Sequence, residues 1–253
     1  EENGALRRVR LDGLESSGFS ALLGAWPIVM VGPADIGLVQ GEPEIRRTWM
    51  DALISQYSVR GRNALRRYRQ VLRQRNAYLR GAVAQDEELR VVLDETLIAE
   101  GYEVVQLRRE LIDRLTPAAV EQYSKISTGQ ESAGLRYRSS WGDGGEETFR
   151  ERLHSLRQRE AELRTTLVGP HRDDLHLSLN GNDFRSIGSQ GQQRSMALAL
   201  QLSAAKELEA CFNEPPILLL DDIFCELDRE RRRAVGDLLD RSSQVFLAAP
   251  EAE

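Results

Sequence analysis

Apolar positions change their spacing several times along this chain, and each change predicts an element. Residues 5–12 read as a short strand ending at an Asp12-Gly13 turn, and residues 27–31 as a short buried strand running into the turn-forming Gly32-Pro33-Ala34-Asp35. Ile45, Trp49 and Leu53 recur by fours, which predicts a helix over 44–55 behind Gly41-Glu42-Pro43. Leu65, Tyr68, Leu72 and Leu79 keep helical spacing to about residue 80, and a second helical pattern covers 86–115. Residues 135–141 alternate like a strand, and Gly142-Asp143-Gly144-Gly145 is a loop. Phe149, Leu153, Leu156 and Leu163 then share one face of a helix over 146–165.

The pattern changes again after that helix. Leu175, Leu177 and Leu179 alternate with polar residues and meet Asn180-Gly181, a hairpin signal because a type I′ turn needs two residues that tolerate positive φ. Leu198, Leu202, Ala205 and Leu208 place a core face on a helix over 192–210. Residues 217–220 are apolar at every position, as expected of a strand covered on both faces in a parallel sheet. The fold class is therefore α/β. Residues 1–57 and 167–253 form two parts of one unit, and 58–166 form a mainly helical insertion between them.

Composition changes this picture little. The 253 residues include 29% charged and 41% hydrophobic residues with a formal net charge of −6, ordinary for a soluble globular protein and without a global pull toward nucleic acid. Cys211 and Cys225 show no metal-type spacing and imply a reducing compartment, the cytoplasm. No apolar run reaches the ~18 residues of a membrane span. There is no start methionine or signal peptide, and both ends read as cuts.

The distribution of charge is more informative. Residues 60–80 hold eight arginines and no acid, whereas residues 86–113 hold nine acids and three arginines. Arg62, Arg66, Arg69 and Arg73 share one helix face suited to phosphate contact, while Arg75 falls near the apolar stripe. The competing reading is internal pairing, since the acidic helix nearly cancels the basic one. His171 and His176 lie beside Asp173 and Asp174, but a spacing of five suits a hydrogen-bonded turn better than a metal site.

Three short motifs carry chemistry. Residues 217–222 fit a Walker B strand whose Asp221 would hold Mg²⁺ through water and whose Asp222 would orient the attacking water. The bland alternative is a buried strand that ends in polar residues. Ser189-Gln190-Gly191-Gln192-Gln193 resembles the ABC signature, a serine and glycine at a helix start whose free N–H groups attract anions; a plain helix cap is the alternative. Glu226-Leu227-Asp228 stands where a D-loop follows Walker B, and Asp228 also suits the N-cap of a helix over 229–240. No G-x-x-x-x-G-K-[ST] loop occurs, and the two lysines, Lys125 and Lys206, follow Ser124 and Ala205. A phosphate-cradling loop needs glycine before its lysine, so this chain is not expected to hold a triphosphate by itself.

Taken together, Gly169-Pro170-His171-Arg172-Asp173-Asp174-Leu175, Ser189 to Arg194, Leu219-Leu220-Asp221-Asp222 and Glu226-Leu227-Asp228 resemble the bacterial RecF family. Pro33-Ala34-Asp35, Gly41-Glu42-Pro43-Glu44-Ile45-Arg46-Arg47 and Tyr68 to Asn76 match further segments, so the resemblance spans nearly the whole chain. It implies an ABC-type ATPase head with its N-terminal Walker A part missing, and a slow ATPase in the full-length protein. It also implies ATP and Mg²⁺ as cofactors, a homodimer formed on ATP, and signature residues Ser189 to Gln193 with Asp228 at the nucleotide. The implied partners are gapped or single-strand/double-strand junction DNA, RecO, RecR and RecA. Departures are Gly32, where the family usually has phenylalanine, and Phe246-Leu247-Ala248-Ala249-Pro250, which lacks the expected threonines. One rival is a transporter nucleotide-binding subunit, which normally carries glutamate at the position of Asp222. The other is a non-enzymatic scaffold that keeps partner contacts only.

Overall fold

The computed structural model describes residues 8–11, 14–17, 24–82, 86–127, 131–221, 233, 236 and 244–248. A parallel sheet is formed by β3 (Ile28–Val31), β7 (Ile217–Asp221) and β8 (Gln244–Ala248), with β7 in the centre. Ile28 pairs with Ile217 and Leu220 with Leu247, so the carboxyl ends of β3 and β7 lie side by side. A hairpin of β1 (Arg8–Leu11) and β2 (Leu14–Ser17) forms a separate antiparallel pair.

The helical portion is built on α1 (Gly37–Gln40), α2 (Pro43–Tyr57), α3 (Val59–Leu79) and α4 (Glu87–Ile126). Ser58 separates α2 from α3 and caps the latter by accepting from Gly61 N at 2.9 Å. α4 runs eleven residues beyond the expected end at 115, straight through Pro117. Proline removes one backbone bond from a helix, but Leu115, Ala119, Tyr123 and Ile126 are buried, and that packing carries the helix on. The buried face of α2 centres on Met50, Leu53 and Ile54, with Arg46 inside and Ile45 exposed.

The expected helix over 146–165 is broken into α5 (Glu146–Ser155) and α6 (Arg157–Leu163). The break turns Glu160 into the interior, fully buried, where it accepts from Arg75 Nη2 at 2.7 Å and Leu167 N at 2.7 Å. Arg75 also donates to Asp94 at 2.7 Å and to Thr166 at 2.9 Å. The one arginine that helical spacing places near the apolar stripe is therefore buried, with three acceptors around it.

A second sheet joins β4 (Ala133–Arg138), β5 (Asp174–Leu179) and β6 (Asn182–Asp183) in antiparallel order. Leu175, Leu177 and Leu179 point into the core, and Asn180 (φ 49°) with Gly181 (φ 79°) makes the two-residue turn. After β6 come α7 (Phe184–Ile187) and α8 (Gln190–Phe212), which lies between the parallel sheet and α4. One apolar cluster links the residues of the sheet, α8 and the helical portion.

Residues 169–173 and Asp174 at the start of β5 stitch these parts together, with one 3-10 turn over Pro170–Arg172. Gly169 adopts φ 136°, where a Cβ would stand 2.6 Å from Tyr68 Oη, so only glycine fits. Arg46 grips Asp174 with two bonds of 2.7 and 3.0 Å, Arg47 donates to the Asp173 carbonyl at 2.7 Å, and Arg108 donates to the Pro170 carbonyl at 2.8 Å. The Asp173 carboxylate, 1% exposed, accepts from Tyr137 Oη at 2.5 Å and Ser140 N at 2.7 Å. His171 donates through Nε2 to the Thr166 carbonyl at 3.1 Å, which leaves Nδ1 to accept from Tyr68 Oη at 2.6 Å. That tautomer follows because a carbonyl can only accept. The hydrogen-bonded turn expected of this segment is present, and among the described residues no cluster of three His, Cys, Asp or Glu is placed to hold a metal ion.

Buried and exposed charges should respond differently to mutation. Arg75→Met strands Glu160 in the interior and should cost about 3–5 kcal/mol in a urea melt. Arg67→Ala removes only partly exposed pairs to Glu100 and Glu103 and should leave the midpoint nearly unchanged. Burial pushes the His171 imidazole from its ordinary 6.5 down to about 4. The unfolded chain then takes up the proton first, so this contribution is complete above pH 6.5 and is lost as pH falls toward 4, by at most about 1.4 kcal/mol per unit. Asp173 is shifted upward by burial and acts in the opposite direction. Thermal melts of His171→Gln against the parent should therefore show a shallower loss of stability over that window.

Candidate functional site

The carboxyl edge of the parallel sheet is where ligands of such sheets bind. Asp221 ends β7 there and is exposed. It lies beside Gly32, where a Cβ would stand 3.7 Å from that of Asp221, an ordinary contact. The Asp221 carboxylate makes no ion pair or hydrogen bond among the described residues. A single free carboxylate at a strand end suits Mg²⁺, which takes one or two protein carboxylates and completes its shell with water and phosphate oxygens. Asp222 and the Glu226-Leu227-Asp228 segment lie outside the described residues, as does the predicted helix over 229–240 apart from Arg233 and Gly236.

The turn after β3 contributes a second carboxylate at this edge. Asp35 accepts from Gly32 N at 2.7 Å and from Gln201 Nε2 at 2.7 Å, and burial raises its pKa despite both bonds. Gln201 sits midway along α8 and also accepts from Trp49 Nε1 at 3.1 Å. Sequence reading marks Asp35 only as part of a turn. Its tie to Gln201, 166 residues away, has no local signal.

At the start of α8, Ser189 is the N-cap with extended backbone, and a reciprocal box closes around it. Ser189 Oγ accepts from Gln192 N at 3.3 Å, and Ser189 N donates to Gln192 Oε1 at 2.7 Å. The box occupies the third N–H of the helix and leaves those of Gln190 and Gly191 without an acceptor among the described residues. Those two donors, next to an exposed serine and at the positive end of a 23-residue helix, form an anion-seeking surface. The serine cap of the plainer reading is present, and that cap leaves these donors facing out.

Gln193 turns inward instead. It is buried, accepts from Gln40 Nε2, and donates to the Gly188 carbonyl at 2.9 Å. Gln192 reaches sideways to Glu131 Oε1 at 2.7 Å, and the other oxygen of Glu131 accepts from Tyr123 Oη near the end of α4. The signature helix start is thus braced by the helical portion, through a residue that lies in an unpatterned loop of the sequence.

The two motifs do not meet. Gln201 touches the Asp35 turn, and from Gln201 back to Gln190 is eleven residues of α8, about 16 Å at ~1.5 Å per residue.

The arginine block of α3 divides by face. Arg60 and Arg67 pair with Glu103 and Glu100 of α4, and Arg75 pairs with Asp94. On the other side Arg62 donates to the Ser55 carbonyl at 2.5 Å and Arg69 pairs with Asp51 at 2.9 Å. Arg66 and Arg73 are exposed and have no ion pair among the described residues. Pairing with the acidic helix and a free cationic face therefore coexist on one helix. No described helix is long and apolar enough to cross a membrane.

No family model matches the chain. Its sequence is 36% identical over 262 residues to the DNA replication and repair protein RecF of Halothermothrix orenii, covering 99% of this chain and 70% of that protein. RecF of Streptococcus gordonii is 36% identical over 251 residues, covering 98% of this chain and 69% of that one. Among solved structures, the recombination mediator protein RecF-ATPrS of the RecFOR pathway superimposes with a TM-score of 0.86 at 29% identity, covering 96% of this chain and 67% of its own. The RecF-ATP structure of the same pathway gives 0.86 at 28% identity. With this agreement in sequence and in three dimensions, over an ABC-type ATPase head interrupted by a helical insertion, the chain belongs to the RecF family of DNA replication and repair proteins.

Proposed function

We propose that this chain is the larger part of an ATP-dependent DNA-binding protein of recombinational repair. In this reading it dimerises on ATP, binds gapped or junction DNA, and helps RecO and RecR load RecA. Residues 1–57 and 167–253 serve as the nucleotide-binding lobe and 58–166 as the second, helical lobe. The observation that carries the reading is the separation along α8. Asp221 and the Asp35 turn stand at one place, and the free N–H groups of Gln190 and Gly191 stand about 16 Å of helix away. A nucleotide held at the strand ends of one copy is out of reach of that copy's own signature, so the signature serves the nucleotide of a second copy.

The chemistry follows from the same parts. ATP with Mg²⁺, when bound, supplies a phosphoanhydride to cleave. Asp221 would hold the ion, Asp222 would orient the attacking water, and Ser189 with the N–H groups of Gln190 and Gly191 would meet the partner's phosphates. Gln192 and Gln193 keep that helix start in place, and Asp228 would serve at the nucleotide as the D-loop residue. Phosphoryl transfer asks mainly for positioning and charge stabilisation, which these groups suit. The phosphate-cradling loop is not in this sequence, so tests belong in the full-length protein.

In the full-length protein, Asp222→Asn should keep ATP-driven dimerisation but slow hydrolysis, whereas Ser189→Arg should abolish dimerisation, as read by sedimentation with Mg·ATP. A Ser189→Arg protein that dimerises normally would overturn the signature assignment. For DNA, Arg66→Glu with Arg73→Glu should weaken gapped and fully duplex DNA alike and lower the salt slope by about 0.9 for each phosphate no longer neutralised. Because neither arginine is paired within the described chain, the melting temperature should stay unchanged, and an unaltered salt slope would remove α3 from the DNA-binding surface.

A further inference from the structure

We propose that the cavity between α2, α3 and α4, beside the arginine face of α3, is a binding site for a phosphate group, held by Arg47, Arg69 and Thr48 over the buried Arg108. The cavity measures about 260 Å³ and opens next to Arg69. Three helices contribute its donors, so they converge on one space instead of lying along one surface.

The charge balance favours an anion. Asp51 accepts from Arg108 at 2.9 Å on one oxygen and from Arg69 at 2.9 Å on the other, so a single carboxylate is shared by two guanidinium groups. Among the described residues Arg47 has only a backbone carbonyl, that of Asp173, as its hydrogen-bond acceptor. Its pKa is lowered first by burial and next by Arg108, against the opposing pull of Asp174, Glu44 and Asp173. Glu44 also lines the cavity from an exposed position. Three arginines against two carboxylates leave one net positive charge in the cavity.

The remaining walls narrow the ligand class. Tyr68 and His171 are bonded to one another and neutral, so they offer shape and no charge. Thr48 Oγ1 has no partner among the described residues and can donate. Guanidinium forks with a hydroxyl match tetrahedral phosphate oxygens, and Leu65 and Leu72 give an apolar side for the carbon attached to them. Arg66 and Arg73 lie one turn either side of Arg69. A phosphodiester running on in both directions would follow that row, whereas a terminal phosphate can enter the cavity. The site stands on its own geometry, and only the origin of the phosphate from a nucleic-acid end rests on the DNA-binding reading above.

The experiment has two arms on the full-length protein. Inorganic phosphate at constant ionic strength should raise the melting temperature saturably in the parent and not in Arg47→Gln or Thr48→Val. In fluorescence anisotropy, DNA ending in a phosphate should bind roughly tenfold tighter than the same DNA ending in hydroxyl, the scale of one charge-assisted hydrogen bond. That preference should vanish in both variants while hydroxyl-ended DNA binds as before. Saturable phosphate binding lost in the variants, with no preference among DNA ends, supports the site and assigns it to free phosphate compounds. Absence of saturable phosphate binding together with absence of end preference overturns the proposal, as does either effect surviving in both variants. Failure of the α3 face shows separately, as unaltered DNA binding by Arg66→Glu with Arg73→Glu.

Discussion

The structure depends on arginines, Arg46 and Arg108 buried and Arg47 partly so, that donate to a segment with little regular structure of its own. Residues 169–174 run from the 3-10 turn into the start of β5 against α2 and α4, and their carbonyls and carboxylates would be stranded there without partners. Arg46 and Arg47 come from α2 and Arg108 from α4. Each guanidinium presents five donors in a rigid plane, so one side chain can satisfy a carboxylate and a carbonyl at once. Arg108 does so by bridging Asp51 and Pro170, and Arg46 by bridging Asp174 and the Gly41 carbonyl. Because Arg46 and Arg108 each have acceptors on two segments, α2, α4 and β5 hold one relative placement.

That placement fixes what the edge of the head can present. α8 runs from the Asp35 turn to the signature start, and both places are held by side chains from elsewhere. Gln201 ties its middle to Asp35 and Trp49, while Gln40 and Glu131 tie the glutamines that follow the serine cap. Two backbone donors remain open only because the others are occupied. Tyr123 and Glu131 belong to the helical portion, so a shift of that portion reaches the signature directly through one hydrogen-bonded chain.

α3 shows how one helix serves two purposes. Its inner arginine is surrounded by acceptors, a second row meets the acids of α4, and a third row stays in solvent. The partly exposed pairs to α4 contribute little stability. Their effect is to neutralise the acidic helix locally, so that the field at the free face comes from Arg66 and Arg73.

The sequence by itself determined the fold class, the order of elements and the motifs, since these rest on local periodicity and short-range chemistry. The alternation at Leu175, Leu177 and Leu179, the Asn180-Gly181 turn and the position of Arg75 on the apolar side of α3 all follow from side-chain direction along one element. The resemblance to RecF was legible because its segments keep family order across the chain. Tertiary structure alone decided where helices end and what the polar residues touch. α4 continues through Pro117 because packing against α8 outweighs a lost backbone bond, and the break at Leu156 turns Glu160 toward an arginine 85 positions away. The division of the arginine block by face, the inward turn of Gln193 and the cavity over Arg108 likewise depend on partners distant in sequence. A local pattern specifies which way a side chain points but carries no record of what another helix brings to meet it.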